Sequence, residues 1–298
     1  MDRPPRHGEQ VVTLANGVRV VALPSPGRET ASVGVFVRSG SAHESRVQNG
    51  IGHVIEHMVF KGTATRSARR INVDAERLGA EVNAHTDKDH TAFHMRGLAG
   101  HAGDFVAMLG DLVLHATFPE DELERERDVL LHEYTEVEED PMATAFELFD
   151  RACYGLHPVA QPVIGTRRNI ERLRRADLLA HVEHRYTGAN VVVGVAGAHD
   201  IDAVARRVEA VFGGLRPGAP NLVAAPRYTG DVRARWIGGS SQTHVVLGFP
   251  IPGLDADESA SLVAAALFGE GMSSPLMDEV RERRGLAYYA ACSADRYD

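Results

Sequence analysis

The chain has 298 residues, 44% of them apolar and 24% charged, with a formal net charge of −9 and two cysteines, Cys153 and Cys292. At about 100–200 residues per domain the length suggests two domains, and the composition supports a packed core without a disulfide framework. No apolar run reaches the roughly 20 residues of a membrane span, no basic stripe suits a nucleic-acid backbone, and Met1–Gln10 has no apolar signal core, so the expectation is a cytoplasmic protein, with the periplasm as alternative and neither membrane nor nucleic acid as partner.

Val11–Leu14 and Val18–Leu23 flank Asn16-Gly17 and predict a hairpin. Ala31–Val37 alternates as a third strand. Over Gly50–Val59, Ile51, Ile55, Met58 and Val59 form one helical stripe. Ser67 caps a second helix to about Leu78, closed by Gly79. Glu81–Thr86 and Thr91–Arg96 read as strands and Phe105–His115 as an apolar helix. Pro119 opens a long helix to about Glu138, with acids in its first turn as the helix dipole prefers. Further helices are expected near Ala143–Ala152, Asn169–Arg185 and Ile201–Phe212, with a buried strand at Asn190–Ala196. A Gly/Pro-rich linker follows over 214–226. Beyond it come a strand at Thr243–Phe249, helices at Asp257–Leu267 and Pro275–Arg283, and a strand at Ala287–Cys292. The pattern is α+β: a mostly antiparallel sheet with helices packed on one face.

The charge is concentrated. Phe118–Asp140 holds 11 acids against Arg125 and Arg127, a net of −9, and the remaining residues balance. Only Lys61 and Lys88 are lysine among the 32 basic residues, which is read as codon bias.

His53-Val54-Ile55-Glu56-His57 carries the chemistry. Residues i and i+4 of a helix are neighbours, about 5–6 Å apart at Cβ. Two imidazoles so placed can reach one Zn²⁺ at about 2.0–2.1 Å. Glu56 lies on the same edge and can take a proton from a water that the ion has acidified toward a pKa of about 7. A third protein ligand is required, and the acidic helix offers Glu122, Glu126, Glu133 and Glu136. Glu126 and Glu133 project within about 20° of each other but stand about 10 Å apart along the axis, so one ion cannot take both.

The stretch resembles the inverted zinc motif of the inverzincins. Its surroundings are similar to the insulinase/pitrilysin family of zinc metallopeptidases, closest to the compact branch that includes the mitochondrial processing peptidase. The matching segments are 50–63 around the motif, Asn83-Ala84-His85-Thr86, and 124–133, where His132 and Glu133 lie 75 and 76 residues after His57, the family's separation for its third ligand. The resemblance implies one Zn²⁺ held by His53, His57 and Glu133, Glu56 as general base, and Glu126 in support. It implies a sheet edge at 83–86, with Asn83 and Ala84 meeting the backbone of a peptide substrate that adds as an extra strand. In Glu279–Tyr288 it also implies that Arg281 and Tyr288 hold the substrate and stabilise a developing oxyanion.

The implied protein is a zinc metalloendopeptidase that can pair as a homodimer or heterodimer. Its domains are a catalytic domain over 1–213, the linker, and a partial second domain of the same type over 227–298. The shortness of that second domain raises the alternative of a non-catalytic or partner-dependent peptide-binding subunit. Two local departures stand out. Gly52 occupies a position where the family more usually has Ala or Ser, and His85 one where it has an aromatic. His85, His90 and His94 are read as solvent-facing strand histidines rather than as a second metal site.

Overall fold

In a computed structural model of the chain, residues 8–197, 200–253 and 259–295 are described. They fall into two compact units that divide at Val246–Leu247.

The larger unit is built on one six-stranded sheet. The predicted hairpin forms from β1 (Gln10–Thr13) and β2 (Arg19–Pro24), turning at Asn16-Gly17. β3 (Thr30–Val37), β4 (Glu81–Thr86), β5 (Thr91–Leu98) and β6 (Val191–Gly197) complete the order β1-β2-β6-β3-β5-β4. Every neighbouring pair is antiparallel except β2 with β6. The sheet is therefore mostly antiparallel, as expected, and β4 is one of its edges.

Alternation decides which face is covered. On β3, Ala31, Val33, Val35 and Val37 are buried while Phe36 is 38% exposed. Phe93 and Met95 of β5 and Val191, Val193 and Val195 of β6 join the buried side. Helix α3 (Ala102–His115) lies on β3 and β5, α1 (Ile51–Met58) and α2 (Ala68–Arg77) lie on β4, and α8 (Ile201–Phe212) lies on β2. Phe105, Leu109, Leu112, Ile55, Met58, Ile71 and Phe212 fill the space between these helices and the sheet. α4 (Glu120–Glu139) packs beside α1 through Leu123 and Leu130. Leu131 also packs on the core, whereas Val129 is exposed.

Three expectations are corrected. Pro119 is the residue before α4 rather than its first turn. The single helix expected over Asn169–Arg185 is two, α6 (Arg167–Arg172) and α7 (Arg175–Arg185), because Leu173 and Arg174 are extended and Asp177 accepts the Arg174 N–H at 2.9 Å as a new helix start. α5 (Pro141–Tyr154) extends the helix expected near Ala143–Ala152 at both ends. Residues 214–246 run without regular structure but do not hang free. Gly188 and Ala189 donate to Arg216 and Pro217, buried Asn221 caps Arg38 and Arg185, and Thr229 and Asp231 bond the end of α5.

The smaller unit, taken by itself, contains α9 (Ser259–Ala265), a π-helical turn at Ala266–Glu270, α10 (Pro275–Met277) and a second π-helical turn at Asp278–Arg283. Asp257, where the first of these helices is expected to begin, lies outside the described residues. Thr243–Phe249 and Ala287–Cys292 are not strands. A strand needs a ladder to a neighbouring strand, and among the described residues neither segment joins one; Leu247 and Phe249 are more than 80% exposed.

Candidate metal centre

The site rests on α1, and the start of that helix is fixed from outside it. Gly50, its N-cap, has φ +98° and lies back to back with Gly165, so that a Cβ on Gly50 would stand 2.9 Å from the Gly165 Cα and the Ile164 carbonyl oxygen. The first N–H groups of a helix have no intrahelical partner. Here the Glu44 carboxylate accepts from Gly50 N at 2.7 Å and Gly52 N at 2.8 Å, with Asn49 Nδ2 at 3.1 Å. Burial pushes Glu44 up to about 7, against the pull of these hydrogen bonds. A Cβ on Gly52 would lie 3.0 Å from Glu44 Oε1 and 3.3 Å from Thr86 Cγ2. The glycine that departs from the family pattern thus makes room for the carboxylate that caps the helix.

α1 presents His53 and His57 on one side, with ring centroids 4.7 Å apart. Glu133, from α4, approaches both. Its Oε2 is 3.6 Å from His53 Nε2 and 3.4 Å from His57 Nε2. These separations exceed ordinary N–H···O hydrogen bonds of about 2.7–3.2 Å. They match the edges of a tetrahedron whose bonds to a central Zn²⁺ are about 2.0–2.2 Å long, which come to about 3.3–3.6 Å. Among the described residues this is the one set of three His, Cys, Asp or Glu donors whose ligand atoms all lie within 4.8 Å of one another.

The protonation states suit a cation. Burial, then neighbouring His57, pulls His53 down to about 4, so the ring is neutral at pH 7. Its Nδ1 is buried with no hydrogen-bond partner, which leaves Nε2 as the nitrogen in use. On His57, Nδ1 lies 2.9 Å from Glu126 Oε1. A carboxylate only accepts, so Nδ1 carries the proton and Nε2 keeps its lone pair. Burial works to raise Glu126, but hydrogen bonds from Lys61 and His57 outweigh it and hold the carboxylate below its ordinary value. Glu126 and Glu133 therefore serve different nitrogens of one ring, as their separation along α4 requires. The donor set, two neutral imidazoles and one carboxylate, fits Zn²⁺.

Glu56 is half-buried on α1 between the two histidines and acts electrostatically on His85 and Tyr186. Asn83 is exposed on edge strand β4, where its Oδ1 accepts the N–H of buried Ala84 at 2.8 Å. Arg281 and Tyr288 lie in the smaller unit, where the guanidinium stacks 5.0 Å from the ring centroid beyond the turn at Gly285.

Sequence reasoning missed Glu44 and Lys61. Glu44 is an isolated acid in a loop and gives no signal. Lys61 does give one. It follows His57 by one helical turn, and it is one of only two lysines in the chain. Both are engaged, Lys61 with Glu126 and buried Lys88 with Asp150 at 2.7 Å and the Val159 carbonyl at 2.8 Å. Both lysines thus have structural partners.

Comparison with known proteins bears on this geometry. The family described as Insulinase (Peptidase family M16) matches residues 19–167, and the Peptidase M16 inactive domain matches residues 172–298. An uncharacterized zinc protease of Mycobacterium bovis is 37% identical over 96% of this chain and 70% of its own length. The mitochondrial-processing peptidase subunit beta of Blastocladiella emersonii is 32% identical over 87% of this chain and 56% of its own. The crystal structure of a protease from Helicobacter pylori shares the fold with a TM-score of 0.80, at 24% identity, covering 95% of this chain and 70% of that one.

Proposed function

The chain belongs to the insulinase family of peptidases, peptidase family M16, and on that footing we propose that it is a zinc-dependent endopeptidase acting on peptides and unfolded segments. The observation that carries this reading is the triangle of His53 Nε2, His57 Nε2 and Glu133 Oε2, spaced as ligands rather than as hydrogen-bond partners. These three residues would hold the ion, and a zinc so held supplies a Lewis acid that polarises a carbonyl and acidifies water.

The remaining work falls to the chain's own groups. Glu56 takes a proton from the attacking water and delivers it to the leaving amine nitrogen as the peptide C–N bond breaks. Glu126 keeps the proton on His57 Nδ1, and Lys61 balances the Glu126 charge. The free edge of β4 accepts an extended peptide, main chain to main chain. In this reading Asn83, exposed on that edge with its Oδ1 accepting the N–H of Ala84, meets the substrate backbone.

The test is Glu56→Gln assayed on a mixed peptide pool. Zinc content should stay at the wild-type level while cleavage falls by at least about 10²–10⁴-fold, the usual worth of a general base. Turnover near wild type would sink the assignment. A zinc-replete wild type that binds peptides and never cuts them would instead establish a non-catalytic peptide-binding subunit.

A further inference from the structure

Strands β4 and β5 carry a second group of imidazoles on the sheet face away from the helical core. His85 on β4 and His94 on β5 are diagonal neighbours, since His85 pairs with Ala92 and Asn83 with His94. Diagonal positions lie about 7–8 Å apart at the backbone, within reach of long side chains. His90 ends the turn between the strands and folds over the same face, 6.0 Å from the Phe36 ring centroid. Its Nε2 lies 3.2 Å from His85 Nε2, with ring centroids 5.3 Å apart; the His94 ring is 5.9 Å from that of His85.

This arrangement repeats the logic of the first site. Asp89 Oδ1 stands 2.5 Å from His90 Nδ1, so Nδ1 carries a proton and Nε2 is the nitrogen turned toward His85, in the way that Glu126 orients His57. Burial and the neighbouring imidazoles pull His85 below the ordinary histidine value, while the Asp89 carboxylate pulls His90 above it, so an ion at this site competes with a proton on His90. The 3.2 Å separation serves an N–H···N bond in the metal-free protein and is also about the edge of a tetrahedral site.

We propose that His85, His90 and His94 form a second metal site that takes a divalent transition ion. His85 and His90 supply two nitrogens already in place, and His94, half-buried, brings a third by a rotamer change, since its ring nitrogens do not stand within 4.8 Å of both others. Imidazole donors select Zn²⁺, Co²⁺, Ni²⁺ or Cu²⁺ over Ca²⁺ and Mg²⁺, which need oxygen ligands. With no carboxylate in direct contact, the site binds more weakly than that of His53, His57 and Glu133. Strand spacing alone misses it, because the residue that closes it, His90, sits in the turn.

Equilibrium dialysis against Zn²⁺, with metal counted per chain, tests the proposal, and Co²⁺ absorption reports the coordination. The wild type should take two ions, the second more weakly. His90→Gln and, separately, His85→Phe should each take one, and Asp89→Asn should weaken the second ion about 10–100-fold. The double variant His53→Gln/His57→Gln should lose the tighter ion and keep the weaker, which separates this site from the proposed catalytic one. A wild type that saturates at one ion, or a second ion that survives both His90→Gln and His85→Phe, would overturn it.

Discussion

Replacing Glu44 with glutamine probes how the metal helix is held. The carboxyl is 5% exposed and receives three N–H groups at the start of α1. Burial moves it from 4.5 to about 7. Between those values the native state keeps a proton that the unfolded chain has released, so the native state binds more protons and stability falls as pH rises. At about 1.4 kcal/mol per pH unit the whole gap is worth about 3 kcal/mol, fully expressed above pH 7 and absent below pH 4.5. Buried histidines act in the opposite sense. Burial holds His181 down at about 3, and its contribution is gained as pH rises toward 6.5. The readout is therefore the difference between two proteins. Urea unfolding of wild type and Glu44→Gln, both stripped of metal, should show the variant gaining about 2–3 kcal/mol on the wild type between pH 5 and pH 8. A constant offset from exchanging an amide for a carboxyl leaves that gain untouched. Parallel curves would show that Glu44 is ionised throughout, and that the three donors and the helix N-terminus outweigh its burial.

Gly50→Ala forces a left-handed alanine at the helix start and drives its Cβ onto the Gly165 backbone. It should destabilise the protein by about 2–4 kcal/mol in denaturant titration, and a loss under about 1 kcal/mol would mean that the two backbones can part. Glu126→Gln removes the carboxylate that orients His57 and leaves Lys61 without its partner. Zinc affinity, read by competition with a chromophoric chelator, should weaken about 10–100-fold, while an unchanged affinity would assign Glu126 to packing alone.

What could be read directly from the sequence is what is local. The Asn16-Gly17 hairpin, the Ser67-capped helix and the stripe that turns His53 and His57 to one side all depend on residues within two or three turns of each other. Glu126 and Glu133 could be told apart in reach, because seven residues of helix have a fixed length. The order of the sheet could not be read, since nothing in Val191–Gly197 says that it pairs parallel with Arg19–Pro24. The strand pattern at Thr243–Phe249 misled for a related reason: alternation describes a segment that can pair, and only a neighbouring strand makes it do so. Glu44 was illegible because its meaning is the helix it caps, eight residues away at Gly52, together with a glycine that reads locally as a helix defect.

The position of β6 between β2 and β3 has a consequence for how the molecule comes into being. The hairpin of β1 and β2 and the three-stranded group β3-β5-β4 share no edge; β6, made some 90 residues after β5, joins them. The anchors of α1 also come from far along the chain, since Asn49 is tied to Pro162 and Asn169, and Gly50 rests on Gly165. Pairings this distant in sequence carry a large loop-closure entropy and form slowly. A chain that ends before residue 190 thus has His53, His57 and Glu133 already synthesised but lacks the strand that joins the two parts of the sheet.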